Sequence, residues 1–134
     1  MSLQLEIVTP EGRVLEKTGD TVVLPTSMGE IGVLPGHIPL TTKLEPGVLR
    51  LSSGATSETF VVSRGFALIE NDRVSVLTDS AVNEAQIDEE RVEQARARAE
   101  KALAEKSDLD PAEVERLESV VRFAVAQLTA RKKR

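Results

Sequence analysis

Gly29-Glu30-Ile31-Gly32-Val33-Leu34-Pro35-Gly36-His37-Ile38-Pro39-Leu40 is the most constrained stretch of the chain, with three glycines and two prolines in twelve residues. Glycine admits positive φ and proline fixes φ, so such a density of both demands particular turns. The pattern predicts two tight turns framing a short buried strand, Ile31 to Leu34. It puts the polar residues Glu30 and His37 near each other on an exposed rim. The stretch lacks the Gly-Lys-Ser/Thr ending of a phosphate-binding loop and does not match Gly-x-Gly-x-x-Gly.

Strands are predicted on both sides of it. Leu3, Leu5 and Ile7 alternate with Gln4 and Glu6, the period of a half-buried strand. Pro10-Glu11-Gly12 signals a turn into a strand over Arg13 to Lys17, and Thr21 to Leu24 is β-rich and stops at Pro25. Further strands are predicted over 38–43, 47–52, 57–63, 65–70 and 73–78, with a tight hairpin at Asn71-Asp72. Many short strands with Gly and Pro punctuation indicate a sandwich or barrel.

The texture changes near Ala81, and from Asp88 onward there is no glycine. Asp88 reads as an N-cap, with Glu89 and Glu90 facing the positive end of the helix dipole. That helix runs to about Lys106, and Ser107-Asp108-Leu109 breaks it. Asp110-Pro111-Ala112-Glu113 restarts it as a capping box with proline at the first helical position, and the second helix runs to about Ala130. Val114, Leu117, Val121, Ala124 and Leu128 form one seam; Val92, Ala95, Ala99 and Ala102 form the other. A short connection between such seams makes an antiparallel hairpin. An alanine-faced seam buries little area, so the hairpin needs a second surface, and Phe123, opposite the seam, is a residue for one. The chain thus divides into a β domain, 1–84, and a helical hairpin, 85–134.

Composition narrows the chemistry. With three Phe and neither Trp nor Tyr, the core must come from Val, Leu, Ile and Ala. The absence of cysteine excludes disulfides, thiolate nucleophiles and cysteine-held metals. His37 is the lone histidine, no Ser sits in a Gly-x-Ser-x-Gly elbow, and the acids are scattered or lie beside bases on helix faces, so no active site and no metal site are expected. No apolar run follows a basic N-terminal segment, and none is long enough for a bilayer, so neither a signal peptide nor membrane insertion is expected. Membrane association would run through a partner. The net charge of −5 and the lack of stacking aromatics count against nucleic acid. Arg131-Lys132-Lys133-Arg134 is a basic run on an acidic chain, read either as a solvated tail or as a contact with an acidic partner. The competing reading of the whole is a free-standing adaptor or nucleic-acid binder that uses this run, with salt-dependent binding.

The twelve-residue stretch closely resembles the hallmark of epsilon subunits of F-type ATP synthases. The surroundings agree: a strand ending in a turn at Val8-Thr9-Pro10-Glu11, a Leu44-Glu45-Pro46-Gly47 segment, a Ser-Arg-Gly-Phe-Ala strand from Ser63 to Ala67, and an Ala-rich helical hairpin. The resemblance covers essentially the whole chain. It implies a flattened ten-stranded β-sandwich followed by the two-helix hairpin. It also implies a non-catalytic rotor subunit that binds the gamma subunit and sits on the polar loops of the c-ring. Glu30 and His37 match the ring-facing acid and histidine.

The hairpin is the family's moving part, either folded against the sandwich or extended into the catalytic head, where it blocks hydrolysis. Arg122, Arg131, Lys132, Lys133 and Arg134 are the basic residues that would meet acidic segments of the alpha and beta subunits there. Some bacterial members bind ATP as a weak regulator through Ile/Leu-Asp-x-x-Arg-Ala. Ile87-Asp88-Glu89-Glu90-Arg91-Val92 is similar to that motif, with Asp88, Arg91 and Arg98 on one side of the helix and Arg122 matching a further basic position. Val92 in place of Ala, and Ala126 where an arginine is frequent, depart from it. Asp88 serves equally as a plain helix cap, with solvated arginines in i,i+4 pairs. The resemblance places such a subunit on the cytoplasmic side of a bacterial plasma membrane, or the stromal side of a thylakoid.

Overall fold

A computed structural model describes residues 2–105 and 108–132. Ten strands come first: β1 (Leu3–Thr9), β2 (Gly12–Gly19), β3 (Thr21–Thr26), β4 (Gly29–Val33), β5 (Leu40–Leu44), β6 (Gly47–Ser53), β7 (Thr56–Val62), β8 (Gly65–Glu70), β9 (Arg73–Thr78) and β10 (Ala81–Asn83). A 3-10 turn, Glu84–Gln86, leads to α1 (Glu89–Glu105) and α2 (Pro111–Lys132). The strands follow the order β10-β7-β6-β3-β5-β8-β9-β1-β2, with β4 paired to β3 off that path. Eight of the nine strand pairs among the described residues are antiparallel, four of them between consecutive strands; β1 instead joins β9 in parallel, with Leu5 opposite Val74.

The path doubles over at β3. Its residues Thr21 to Val23 pair with β6, whereas Thr26 pairs with Leu44 of β5. Pro25 lies between these two pairings. Contrary to the expected stop at Pro25, the strand continues to Thr26. A proline offers no N–H to a ladder, so it is tolerated where the strand changes partners. The two layers enclose one cluster: Val22, Leu24, Leu49, Leu51, Phe60 and Val62 meet Leu3, Leu5, Ile7, Leu44, Ile69, Val74 and Val76. This is the predicted aliphatic core, with Phe60 as its one aromatic ring. Asn71 and Asp72 both take positive φ, 52° and 59°, as a type I′ hairpin requires.

The helices start where their caps predict. Asp88 accepts from Arg91 N–H at 3.3 Å, and Asp110 accepts from Ala112 N–H at 3.0 Å. The hairpin lies against the sandwich, with α2 between α1 and the sheet. On the seam, Leu117 and Ala124 are buried, as are Val92 and Ala99 of α1. On the other side of α2, Phe123, Ala126 and Ala130 pack with Val48, Val61 and Val82. Those three valines stand in one row across β6, β7 and β10, Val48 opposite Val61 and Val61 opposite Val82. The second surface that Phe123 requires is this row.

Candidate functional site

The glycine-rich stretch begins at the β3–β4 hairpin. Thr26 Oγ1 donates to Gly29 C=O at 2.6 Å and accepts from Met28 N–H at 3.2 Å, which closes the turn. At the far end His37 N–H donates to Leu34 C=O at 3.1 Å, and Gly36 N–H donates to Asp72 Oδ1 at 2.7 Å. Gly29 and Gly36 take φ of 101° and 86°. Both predicted turns are therefore present. The strand between them is not the buried one expected. β4 pairs only with β3, and among its residues only Val33 is buried, so it is an exposed edge.

Glu30, the second residue of β4, is exposed. His37 is half-buried, four residues beyond the end of β4, and its Nδ1–H donates to Ile38 C=O at 2.6 Å. A carbonyl only accepts, so Nδ1 carries a proton in this contact. Glu30 and His37 are not bonded to each other. Each is carried on its own turn, flanked by the exposed apolar residues Met28, Leu34 and Ile38.

A second surface escaped sequence reading. The outer face of β1, β9, β8 and β5 carries Val8, Leu77, Phe66 and Lys43 in a continuous cross-strand row. Phe66 is 58% exposed, Leu77 54% and Leu68, on the adjoining row, 44%. With Pro10, Arg64, Asp79 and Glu115 this row lines a groove of about 640 Å³ that runs from the sheet to the first turns of α2. The signal was present: Ala67 and Ile69 alternate inward, which sends Phe66 and Leu68 outward. Exposed aromatic and aliphatic side chains on neighbouring strands mark a docking face.

The hairpin's charged residues are arranged around its seat. Arg122 Nη1 contacts Glu45 Oε2 at 2.9 Å. Arg64 bonds Asp79 at 2.8 Å and reaches Glu115 at 3.9 Å. Arg131 Nε lies 3.5 Å from Glu89, closing the open end of the hairpin. Arg116 is held by Glu113 through a hydrogen bond and its charge, which raise the guanidinium pKa still further.

Of the residues compared with the ATP motif, Arg98 and Arg122 line different flanks of the helix seam. Arg98 lines one flank of the helix seam with Arg116, Leu117 and Val120. Arg122 lines the other flank, with Glu100, Leu103 and Glu118. Asp88 is occupied as the α1 cap. Of the basic run, Arg131 and Lys132 belong to α2, and Lys133 and Arg134 lie outside the described residues.

Among the described residues no set of three or more His, Asp or Glu is placed to hold a metal ion, and no helix is long and apolar enough to cross a membrane. The class that the fold defines is a β-sandwich carrying a helical hairpin on one side. The family model described as "ATP synthase, Delta/Epsilon chain, beta-sandwich domain" matches residues 2–84, and the chain belongs to that family. Curated relatives include the ATP synthase epsilon chains of Granulibacter bethesdensis, 46% identical over 78 residues, and Magnetococcus marinus, 43% identical over 82 residues. These matches cover 58% of both chains in the first case, and 61% of this chain and 60% of the relative in the second. The chain thus spans about 60% of the length of the relatives it matches. A chain in a structure of the Euglena gracilis mitochondrial ATP synthase (OSCP/F1/c-ring) superposes with a TM-score of 0.75 at 26% identity, covering 96% of this chain and 81% of that one. One from the Tetrahymena thermophila mitochondrial ATP synthase central stalk and c-ring superposes at 0.67 with 14% identity, a likeness of fold.

Proposed function

We propose that the chain is a non-catalytic rotor subunit of epsilon type in a proton-translocating F-type ATP synthase. Its sandwich joins the gamma subunit to the c-ring, and its hairpin restrains ATP hydrolysis by the alpha and beta subunits. The observation that carries this reading is the likeness of 96% of the chain, hairpin included, to a chain in an F1/c-ring assembly. The row of half-buried Val8 and exposed Leu77 and Phe66 suits a dry contact with gamma, and the turns carrying Glu30 and His37 suit a wet, polar contact with the ring loops. Arg122, Arg131, Lys132, Lys133 and Arg134 are the cations for the catalytic head. Such a subunit sits peripherally on the cytoplasmic face of a bacterial plasma membrane, or on the stromal face of a thylakoid.

Affinity capture of the tagged chain from its own host tests this. Gamma, ring and head subunits are expected to follow. Phe66→Asp should lose gamma while leaving the fold intact, because an outward residue takes no part in core packing. Recovery of nucleic acid without those subunits would overturn the reading.

A further inference from the structure

The hairpin seat contains a choice between partners. The sandwich has its own core, to which no hairpin residue among the described ones contributes. The hairpin is attached through the 3-10 turn Glu84–Gln86, in which Ala85 N–H donates to Asn83 Oδ1, and through Ile87, which is buried in the second cluster. The apolar part of the contact is short, and apart from Phe123 the α2 side chains in it are alanines and one leucine. Charge pairs stand at its margin: Arg122 with Glu45, and Glu115 with Arg64. Both are open to water, with the Arg122 side chain 54% exposed. An exposed pair is a weak, exchangeable contact.

We propose that Glu45 is an internal stand-in for a carboxylate of the catalytic head, so that the docked hairpin and the head compete for one guanidinium, that of Arg122. This deepens the reading given above and rests on it for the identity of the partner. While the hairpin is docked, Arg122 is committed to Glu45. An acidic partner gains it only as the hairpin leaves its seat, so Glu45 sets the threshold for release. The Arg64–Glu115 contact sits nearer the start of the same helix and carries no such exchange, because Arg64 keeps Asp79 when Glu115 departs.

Two measurements test this. In the isolated full chain, hydrogen exchange of the Val82 and Ile87 amides reads how often the hairpin leaves. Glu45→Gln and Arg122→Gln should each raise it roughly two- to fivefold, the range expected from losing one exposed pair. The exchanged pair Glu45→Arg with Arg122→Glu should restore it, and amides of β1 and β9 should stay unchanged as a check on folding. In the assembled enzyme the two single variants should then part company. Glu45→Gln frees an intact Arg122 and should slow ATP hydrolysis. Arg122→Gln frees a hairpin without the cation and should not slow it. A structural pair would move both variants the same way. Unchanged exchange, failure of the swap to restore it, or hydrolysis moving in the same direction in both variants would overturn the proposal. If enzyme rebuilt without this subunit hydrolyses no faster than enzyme containing it, the inhibitory reading fails on its own, and the exchange data alone decide the Glu45–Arg122 latch.

Discussion

Gly65 shows how much one hydrogen atom in place of a methyl group can carry. It pairs with Thr78, and a Cβ built on it would lie 1.9 Å from Leu77 O and 2.8 Å from Thr78 Cα. Both are backbone atoms, so no rotamer change relieves the clash, and β8 would have to part from β9. Gly65→Ala is expected to cost about 3 kcal/mol or more, at the upper end of overpacking penalties, and to lower Tm by about 10 °C or more in thermal circular dichroism. Gly32 is the control: a Cβ there meets nothing within 4 Å, so Gly32→Ala should stay within about 0.5 kcal/mol. No local pattern separates these two glycines. Gly32 stands inside the most conspicuous motif in the chain and Gly65 does not. The difference lies in how closely a neighbouring strand approaches, which is a property of the assembled sheet.

At the scale of elements, nine of the ten strands were legible, because alternation is a local signal set by one buried face. β10 was not. Ala81-Val82-Asn83 is too short to alternate visibly, and it is a strand because β7 offers it an edge. The run Phe60-Val61-Val62 did break alternation, and all three are buried. Phe60 and Val62 face the core while Val61 faces the hairpin, so the broken period marked a strand covered on both sides. Helix starts were legible because capping is local. What the caps could not tell is which of the arginines they precede converge. Asp88, Arg91 and Arg98 share a side of α1, but Arg122 lies across the seam with Glu45. Calorimetry on the full chain is therefore expected to give an ATP Kd no tighter than roughly 1 mM, with Arg91→Ala removing any protection of the hairpin from proteolysis. A micromolar Kd would mean that α2 turns to bring Arg122 over. Asp88→Ala should cost about 1 kcal/mol through the lost cap, whether or not nucleotide binds.

On the scale of the whole molecule, the sandwich has a core of its own and the hairpin is seated on it through the second cluster. A chain ending at Ile87 is accordingly expected to fold with its β1, β8 and β9 amides protected as in the full chain. It will differ in one way. Val61 has no exposure in the full chain and would be bared together with Val48 and Val82. The truncated chain should therefore bind an apolar dye more strongly and associate more readily, and it should raise ATP hydrolysis when built into the enzyme. Equal hydrolysis with and without the hairpin, at low salt and without a proton gradient, would leave the hairpin a cover for the valine row and not an inhibitor.

The parallel pairing of β1 with β9 has a consequence for how the protein is made. Residues 3–9 leave the ribosome long before residues 73–78, yet the register sets Gln4 beside Arg73 and Val8 beside Leu77. The first strand must wait, unpaired on that side, until the ninth has emerged, and β10 then joins the other end of the strand order. The hairpin follows later still. At about 5–20 residues per second, α1 and α2 take roughly two to nine seconds to appear. Throughout that interval the newborn sandwich presents Val48, Val61 and Val82 with nothing over them. That is the period in which a chaperone holding nascent chains has most to grip, and in which two neighbouring copies on one messenger are most apt to stick.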